Sequence, residues 1–183
     1  IHEEHVGGFI LFNWSNGLRS PKQVRELTEG LQMSASKSFY PIPLLIAVDQ
    51  EGGAVNRLTE GFTHFPGNRA VVMAGDPEFA YKCALAMGTE QLAVGINLNL
   101  APVVDVESKG SKAFIGMRSF SDSPKVVAEY GASALNGYRD AGILSTLKHF
   151  PGLGNVSADP HFDSPINNAS MDELMAQGIA PFA

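Results

Sequence analysis

The sequence has little of what marks several large classes of protein. It contains one cysteine, Cys83, in 183 residues, so an internal disulfide is impossible and no oxidising compartment is implied. Its longest uniformly apolar run, residues 43–48, is far shorter than the roughly 18 residues that a membrane helix needs. Basic residues are outnumbered, with 13 Lys and Arg against 19 Asp and Glu, which disfavours nucleic acid as a partner. The glycine-rich phosphate-binding motifs are absent, which counts against a nucleotide-binding fold.

The rest of the composition is that of an ordinary globular domain. Hydrophobic residues make up 44% of the chain and charged residues 17%, and the formal net charge is -6. These values exclude a disordered tail, a collagen-like repeat and a disulfide-rich miniprotein. The length is enough to bury a sizeable core. The single cysteine favours a cytoplasmic location.

Apolar runs alternate with helix-like stretches along the chain, which predicts an α/β fold built from βαβ units. We expect strands at residues 6–12, 43–48, 96–104 and 143–147, and helices at residues 21–39, 77–94, 124–141 and from about 170 onward. Ser20, Asp76 and Ser123 are the expected N-caps of the first three helices. The run at 43–48 is uniformly apolar, which predicts a parallel strand with both faces buried.

The most fitting architecture is a (β/α)8 TIM-type barrel, because polar residues directly follow the predicted strands. In such barrels the functional side chains lie just beyond the carboxyl ends of the strands. Asp49, Asp105 and Lys148 occupy these positions. Only about four strands are visible, so we expect residues 1–183 to be the first part of a single barrel domain that continues further.

The segment from Lys148 to His161 has the strongest chemical pattern. It is polar, rich in proline and glycine, and follows a predicted strand, which is typical of a loop that carries a site. Asp159 and His161 are two residues apart, so their side chains can meet in a turn. A carboxylate that fixes the tautomer of an imidazole makes a proton-transfer pair. The spacing alone is also compatible with an incidental solvated loop.

Other candidates lie in the remaining polar blocks. Lys148 and His149 end a predicted strand, Asp49 and Arg57 belong to a second block, and Arg118 has a guanidinium suited to a carboxylate or to neighbouring hydroxyls. Each also has a structural alternative, such as a salt bridge that supports a loop or a surface arginine. Histidines 64, 149 and 161 could join Asp159 around a metal, but their spacing lacks the usual metal-binding pattern, so we expect no metal or other cofactor.

Together these blocks resemble the β-N-acetylhexosaminidases of glycoside hydrolase family 3, of the peptidoglycan-recycling type. The resemblance rests on residues 7–12 (GGFILF), 46–53 (IAVDQEGG) with Arg57, 65–68 (FPGN), 102–105 (PVVD) with 118–120 (RSF), and 148–152 (KHFPG) through 159–161 (DPH). It spans nearly the whole chain, and its most specific part is the last block.

The resemblance implies a retaining exo-hydrolase that releases terminal β-linked N-acetylglucosamine from a muropeptide or chito-oligosaccharide. His161 would be the general acid and base, and Asp159 would orient it. The residues expected to bind the terminal sugar are Asp49, Arg57, Arg118, Lys148 and His149. The nucleophile of the family is an aspartate on a later strand, which we expect beyond Ala183.

The loop departs from the family pattern at four positions. The family has His, Asp and Thr where this chain has Leu153, Asn155 and Val156, and Ser where it has Pro160. These changes remove polar groups and stiffen a loop that must deliver His161. A degenerate homologue that binds sugar without cleaving it is therefore the main alternative. A lyase that forms a Schiff base through Lys148 is a more distant one.

Overall fold

The computed structural model describes residues 1–108, 114–154, 156, 159, 161–162, 164 and 166–183. The strands are β1 (Gly8–Leu11), β2 (Leu45–Val48), β3 (Gln50–Gly52), β4 (Val55–Asn56), β5 (Leu98–Asn99) and β6 (Leu144–Ser145). The helices are α1 (Asn13–Asn16), α2 (Pro21–Ser36), α3 (Asn68–Met73), α4 (Pro77–Ala93), α5 (Pro124–Ala141) and α6 (Met171–Glu173). A 3-10 turn covers Gly116–Arg118, and α6 continues as a π-helical segment, Leu174–Ile179, and a second 3-10 turn, Ala180–Phe182.

The main sheet has four parallel strands whose spatial order, β1-β2-β5-β6, is also their order along the chain. Long helices lie between successive strands, as the sequence predicts. A doubly wound fold reverses its strand order at a switch point, whereas a barrel adds each new strand on the same side. The order therefore belongs to consecutive βα units of a (β/α)8 barrel. Strands β3 and β4 form a separate antiparallel pair that the sequence did not predict.

The predicted helix starts are largely confirmed. The hydroxyl of Ser20 accepts a hydrogen bond from the backbone of Gln23, and the carboxylate of Asp76 accepts one from Glu78. The expectation for Ser123 is wrong in one respect, because it precedes α5 but its side chain makes no capping hydrogen bond. Gly142 ends α5 in the left-handed conformation, with φ of 86°, which explains the glycine there.

The predicted strand at 96–104 is too long, because the regular ladder covers only Leu98–Asn99. Beyond it, the N–H of Thr146 is shared by the carbonyls of Asn99 and Ala101, at 3.1 Å each, so the register slips. Pairing resumes as a parallel bridge between Val103 and Lys148. The same slip explains why the predicted strand at 143–147 is also interrupted.

The helices cover one face of the sheet. The other face carries a row of apolar side chains. Ile10, Ala47, Leu98 and Leu144 are successive neighbours in the register, so they share one face. Ile10 is 51% exposed and Leu144 57% exposed. The expectation that residues 43–48 are buried on both faces is therefore wrong at Leu45, which is 47% exposed on this inner face.

Helices α4 and α5 pack closely because glycines line their contact. A Cβ atom added at Gly137 would lie 2.3 Å from the carbonyl oxygen of Tyr81 and 2.9 Å from the Cβ of Ala84. Only a glycine allows this approach of the two backbones. The larger hydrophobic core lies around this contact, with Met87, Val104 and Phe120 among its buried residues.

We therefore expect Gly137→Ala to lower the free energy of unfolding by about 2 kcal/mol, because the new methyl group overpacks the contact between the helices. Gly30→Ala is the matched control, since a Cβ at Gly30 in the exposed part of α2 meets nothing within 4 Å. That change should raise stability by about 1 kcal/mol through helix propensity alone. Denaturant unfolding of both variants tests the packing, and similar shifts in both would contradict it.

Candidate active site

Charged side chains from three chain segments meet at the carboxyl edge of the sheet. Asp49 follows β2, Glu51 lies in β3, and Lys148 follows β6. The ammonium Nζ of Lys148 lies 2.6 Å from Oδ1 of Asp49 and 2.7 Å from Oε1 of Glu51. The strand ends thus bring together residues nearly one hundred positions apart, as the barrel interpretation predicts.

Glu51 is the centre of this cluster. Arg118 donates to it in a bidentate pair, from Nε to Oε2 and from Nη2 to Oε1, both at 2.8 Å. The Glu51 side chain is only 3% exposed. The buried carboxylate of Glu51 therefore pairs with two basic side chains. Only one anion has to be desolvated, and both cations are held in fixed positions.

The electrostatics of the cluster favour its charged state. Burial raises the pKa of Glu51, but the hydrogen bonds and charges of Arg118 and Lys148 outweigh burial and hold the pKa below its ordinary value. Burial lowers the pKa of Arg118, but Glu51, Asp105 and Asp49 outweigh burial and raise it. Glu51 and Arg118 are thus both kept ionised in neutral solution.

His149 lies between Arg118 and a buried carboxylate. Its Nδ1 is 2.6 Å from Oδ2 of Asp105, and its Nε2 is 3.3 Å from Nη2 of Arg118. A guanidinium can only donate, so Nε2 must accept and Nδ1 must carry the proton that bonds Asp105. Asp105 also accepts from the backbone of Leu153, at 2.7 Å, so it anchors the loop as well as the imidazole.

Asp159 and His161 meet as the sequence predicts. Nδ1 of His161 lies 2.7 Å from Oδ1 of Asp159, which also accepts from the backbone N–H of His161 at 2.9 Å. The backbone and side-chain hydrogen bonds of His161 lower the pKa of Asp159, and the charge of Arg118 lowers it further. The imidazole is 78% exposed, so Nε2 faces open space while Nδ1 is held.

Arg57 is the one predicted sugar-binding residue that the structure does not bring into this ion-pair cluster. Its guanidinium carbon lies 5.9 Å from the centre of the Phe12 ring. Its backbone N–H donates to Oε1 of Gln50, which fixes the start of its loop. Within the described residues its Nε is buried without a hydrogen-bond partner.

Two residues of the cluster were missing from the predicted site. Glu51 and Asp105 stand in the same sequence blocks as the predicted residues, and both are buried. Their signal was present, because Asp105 follows a strand and Glu51 is two residues after Asp49, on the same side of an extended chain. Asn155 and Pro160, two departures from the family pattern, lie outside the described residues.

A cavity of about 480 Å³ opens beside Arg118. Its wall includes Gly52 and Gly53, whose φ angles of 89° and 61° require glycine. A Cβ at Gly52 would come 2.5 Å from the carbonyl oxygen of Pro66. The paired glycines thus let two loops meet and leave room next to the ion cluster.

The described ranges contain no group of three or more His, Cys, Asp or Glu side chains placed to hold a metal ion. None of the helices there is long and apolar enough to cross a membrane.

Residues 1–183 match the N-terminal domain of glycosyl hydrolase family 3. The chain belongs to this family. Among its curated family 3 relatives, it is 40% identical over 187 residues to beta-hexosaminidase A of Pseudoalteromonas piscicida. It is 39% identical over 188 residues to a beta-hexosaminidase of Stenotrophomonas maltophilia. In both comparisons all of this chain is covered, but it spans 31% of the first relative and 53% of the second.

Solved family 3 structures share the fold. A β-N-acetylglucosaminidase from a Paenibacillus species superposes with a TM-score of 0.92 at 42% identity, covering 100% of this chain and 34% of that one. NagZ from Neisseria gonorrhoeae, solved with N-trifluoroacetyl-D-glucosamine, gives 0.85 at 35% identity, covering 97% and 52%. These matches bear out the predicted family 3 resemblance and the barrel fold.

The central role of Glu51 in this family 3 site is testable by Glu51→Gln. Removing this charge leaves Arg118 without its bidentate carboxylate and Lys148 with Asp49 alone, and should cost about 3 kcal/mol of stability at neutral pH. Because the pKa of Glu51 is lowered on folding, its contribution is present above the ordinary glutamate value of about 4.3 and is lost as the pH falls through the lowered value.

The difference in unfolding free energy between wild type and Glu51→Gln should therefore shrink in acid, as measured by denaturation at several pH values. Glu26→Gln, in an exposed i,i+4 pair with Lys22 on α2, is the control and should change stability by less than about 0.5 kcal/mol. A difference that stays constant with pH would contradict the assignment.

Proposed function

We propose that the whole protein is a retaining exo-β-N-acetylglucosaminidase that acts on peptidoglycan-derived fragments or chito-oligosaccharides. In this proposal His161 is the general acid and base and Asp159 orients it. An aspartate located beyond Ala183 is the nucleophile. The family membership supports the glycosidase class, and the arrangement of the described side chains supports the assignment of the roles.

The Asp159–His161 pair is the observation that carries the proposal. The carboxylate holds Nδ1 of the imidazole at 2.7 Å, so Nε2 is the atom left to exchange a proton with a substrate. Retaining glycosidases usually use two carboxyl groups. An imidazole in place of one of them avoids a second negative charge beside the nucleophile and can still protonate the leaving oxygen.

The ion cluster supports a sugar subsite next to this pair. A pyranose presents several hydroxyls, and Asp49, Arg118, Lys148 and His149 offer donors and acceptors that are fixed before binding. Fixed partners reduce the entropy lost when the sugar is ordered. Arg57 adds a buried Nε without a partner in the described residues, which suits a further hydroxyl of the same sugar.

His161→Ala should separate substrates by their leaving groups in the full protein. The kcat/KM for a poor leaving group should fall by about 10²–10⁴, whereas a good leaving group needs little protonation and should lose much less. His2→Ala is the control, since that exposed histidine hydrogen-bonds Ser34 on α2. Equal losses on both substrates would contradict the role of His161 as the acid.

The same experiment distinguishes the alternatives. A protein that binds N-acetylglucosamine but releases none from its substrate would be the degenerate sugar-binding homologue. The departures from the family pattern at Leu153 and Val156 are the reason for considering this alternative. The lyase alternative needs a Lys148 amine that is free to react. Instead, Nζ of Lys148 is engaged by Asp49 at 2.6 Å and by Glu51 at 2.7 Å.

A further inference from the structure

Trp14 is the single tryptophan of the 183-residue sequence, and it is 82% exposed. It lies on α1, directly after β1, so it is at the same carboxyl edge of the parallel sheet as Asp49. A side chain of this size normally buries most of its surface, because its apolar area is large. In the described residues the ring is therefore open to a ligand, at the same edge of the sheet as the ion cluster.

The indole is held in place from one side. Its ring stacks on Phe12 with centroids 5.3 Å apart and planes at 30°, and the Arg57 guanidinium packs against the same Phe12 ring. The turn beneath is fixed, since the side chain of Asn16 accepts from the backbone of Phe12 at 2.8 Å. Gly17 closes α1 with φ of 69°. The other face of the indole is thus presented to solvent in a fixed orientation.

Polar groups surround the exposed ring. A shallow cavity of about 310 Å³ is lined by Asn13, Trp14, Ser15, Asn16, Gly17, Arg19 and Gln23. The Ser15 hydroxyl, the Asn16 amide oxygen and the Gln23 amide are hydrogen-bonded within this turn and keep it rigid. The Asn13 amide and the Arg19 guanidinium are the other polar groups that border the flat apolar surface. In the part of the chain that the structure describes, the guanidinium of Arg19 forms no ion pair, so its donors are available.

We propose that Trp14 and this cavity form a carbohydrate-binding site that is separate from the ion cluster of Glu51. A pyranose has a face of C–H groups that packs on an indole and an edge of hydroxyls that needs donors and acceptors. The site takes a ring of an N-acetylglucosamine-containing glycan. That choice of glycan rests on the proposed function, whereas the site itself rests on the geometry around Trp14.

The full protein tests this directly by tryptophan fluorescence. The difference in emission between wild type and Trp14→Phe isolates the signal of Trp14 and is titrated with chitotetraose. We expect a saturable change. Asp49→Asn, which alters the predicted catalytic subsite while Glu51 keeps its pairs with Arg118 and Lys148, should keep that change. A titration that disappears in Asp49→Asn would show that Trp14 only senses the other subsite and would overturn the proposal.

Kinetics provide the second readout. Trp14→Ala should raise the KM for chitotetraose about tenfold with kcat kept, because only binding contacts are lost. Trp14→Tyr should restore most of the affinity.

Phe39→Ala is the matched control. Phe39 is 81% exposed but lies before β2, at the opposite edge of the sheet, so its removal should leave KM and kcat unchanged. Replacing chitotetraose with cellotetraose tests whether the acetamido group is read.

The two proposals fail in different ways. Saturable binding through Trp14 without any hydrolysis would contradict the glycosidase proposal and leave this site standing. Hydrolysis with unchanged KM in Trp14→Ala, and no change in Trp14 emission with either oligosaccharide, would overturn the site alone.

Discussion

Two basic side chains, Arg118 and Lys148, share one buried carboxylate, that of Glu51. This shared ion pair joins the strand that follows β2, the turn at Gly116–Arg118 and the end of β6. A buried charge is tolerated only when it is well paired, so the three segments must keep their relative positions. The positions of Asp49 and His149 follow from this constraint, because each contacts a member of the cluster.

A second carboxylate extends the constraint to the loop after β6. Asp105 is fully buried and accepts from both the ring and the backbone of His149, and from the backbone of Leu153. Leu153 replaces a family histidine, but its backbone N–H still anchors the loop. This contact does not need the missing imidazole, which explains how the loop keeps its attachment in spite of the change.

Much of the fold follows from the sequence because it depends on local signals. Ser20 and Asp76 mark helix starts through hydrogen bonds of their own side chains. Gly142 marks a helix end through a left-handed backbone angle that the absence of a side chain allows. The alternation of apolar runs and helices predicts the strand order. The site was predicted in part, since residues after parallel strands must converge on one edge.

The unpredicted parts of the fold and the site depend on residues that are distant in the sequence, which no local sequence pattern reveals. The sequence places Glu51 near Asp49, but its central role depends on Arg118 and Lys148, which lie 67 and 97 positions away in the sequence. The slip at Thr146 depends on two carbonyls of another strand. Arg57 packs on Phe12 instead of joining the carboxylates, and only the fold decides between those two partners.

The most direct measurement is to trap the covalent intermediate on the full protein. A fluorinated N-acetylglucosaminyl donor that reacts quickly and is released slowly would be incubated with the enzyme, which is then digested and mapped by mass spectrometry. The proposed mechanism predicts one labelled aspartate, located beyond Ala183, with labelling slowed in His161→Ala when the leaving group is poor. A label on a residue within 1–183, or turnover with no trapped intermediate, would contradict it.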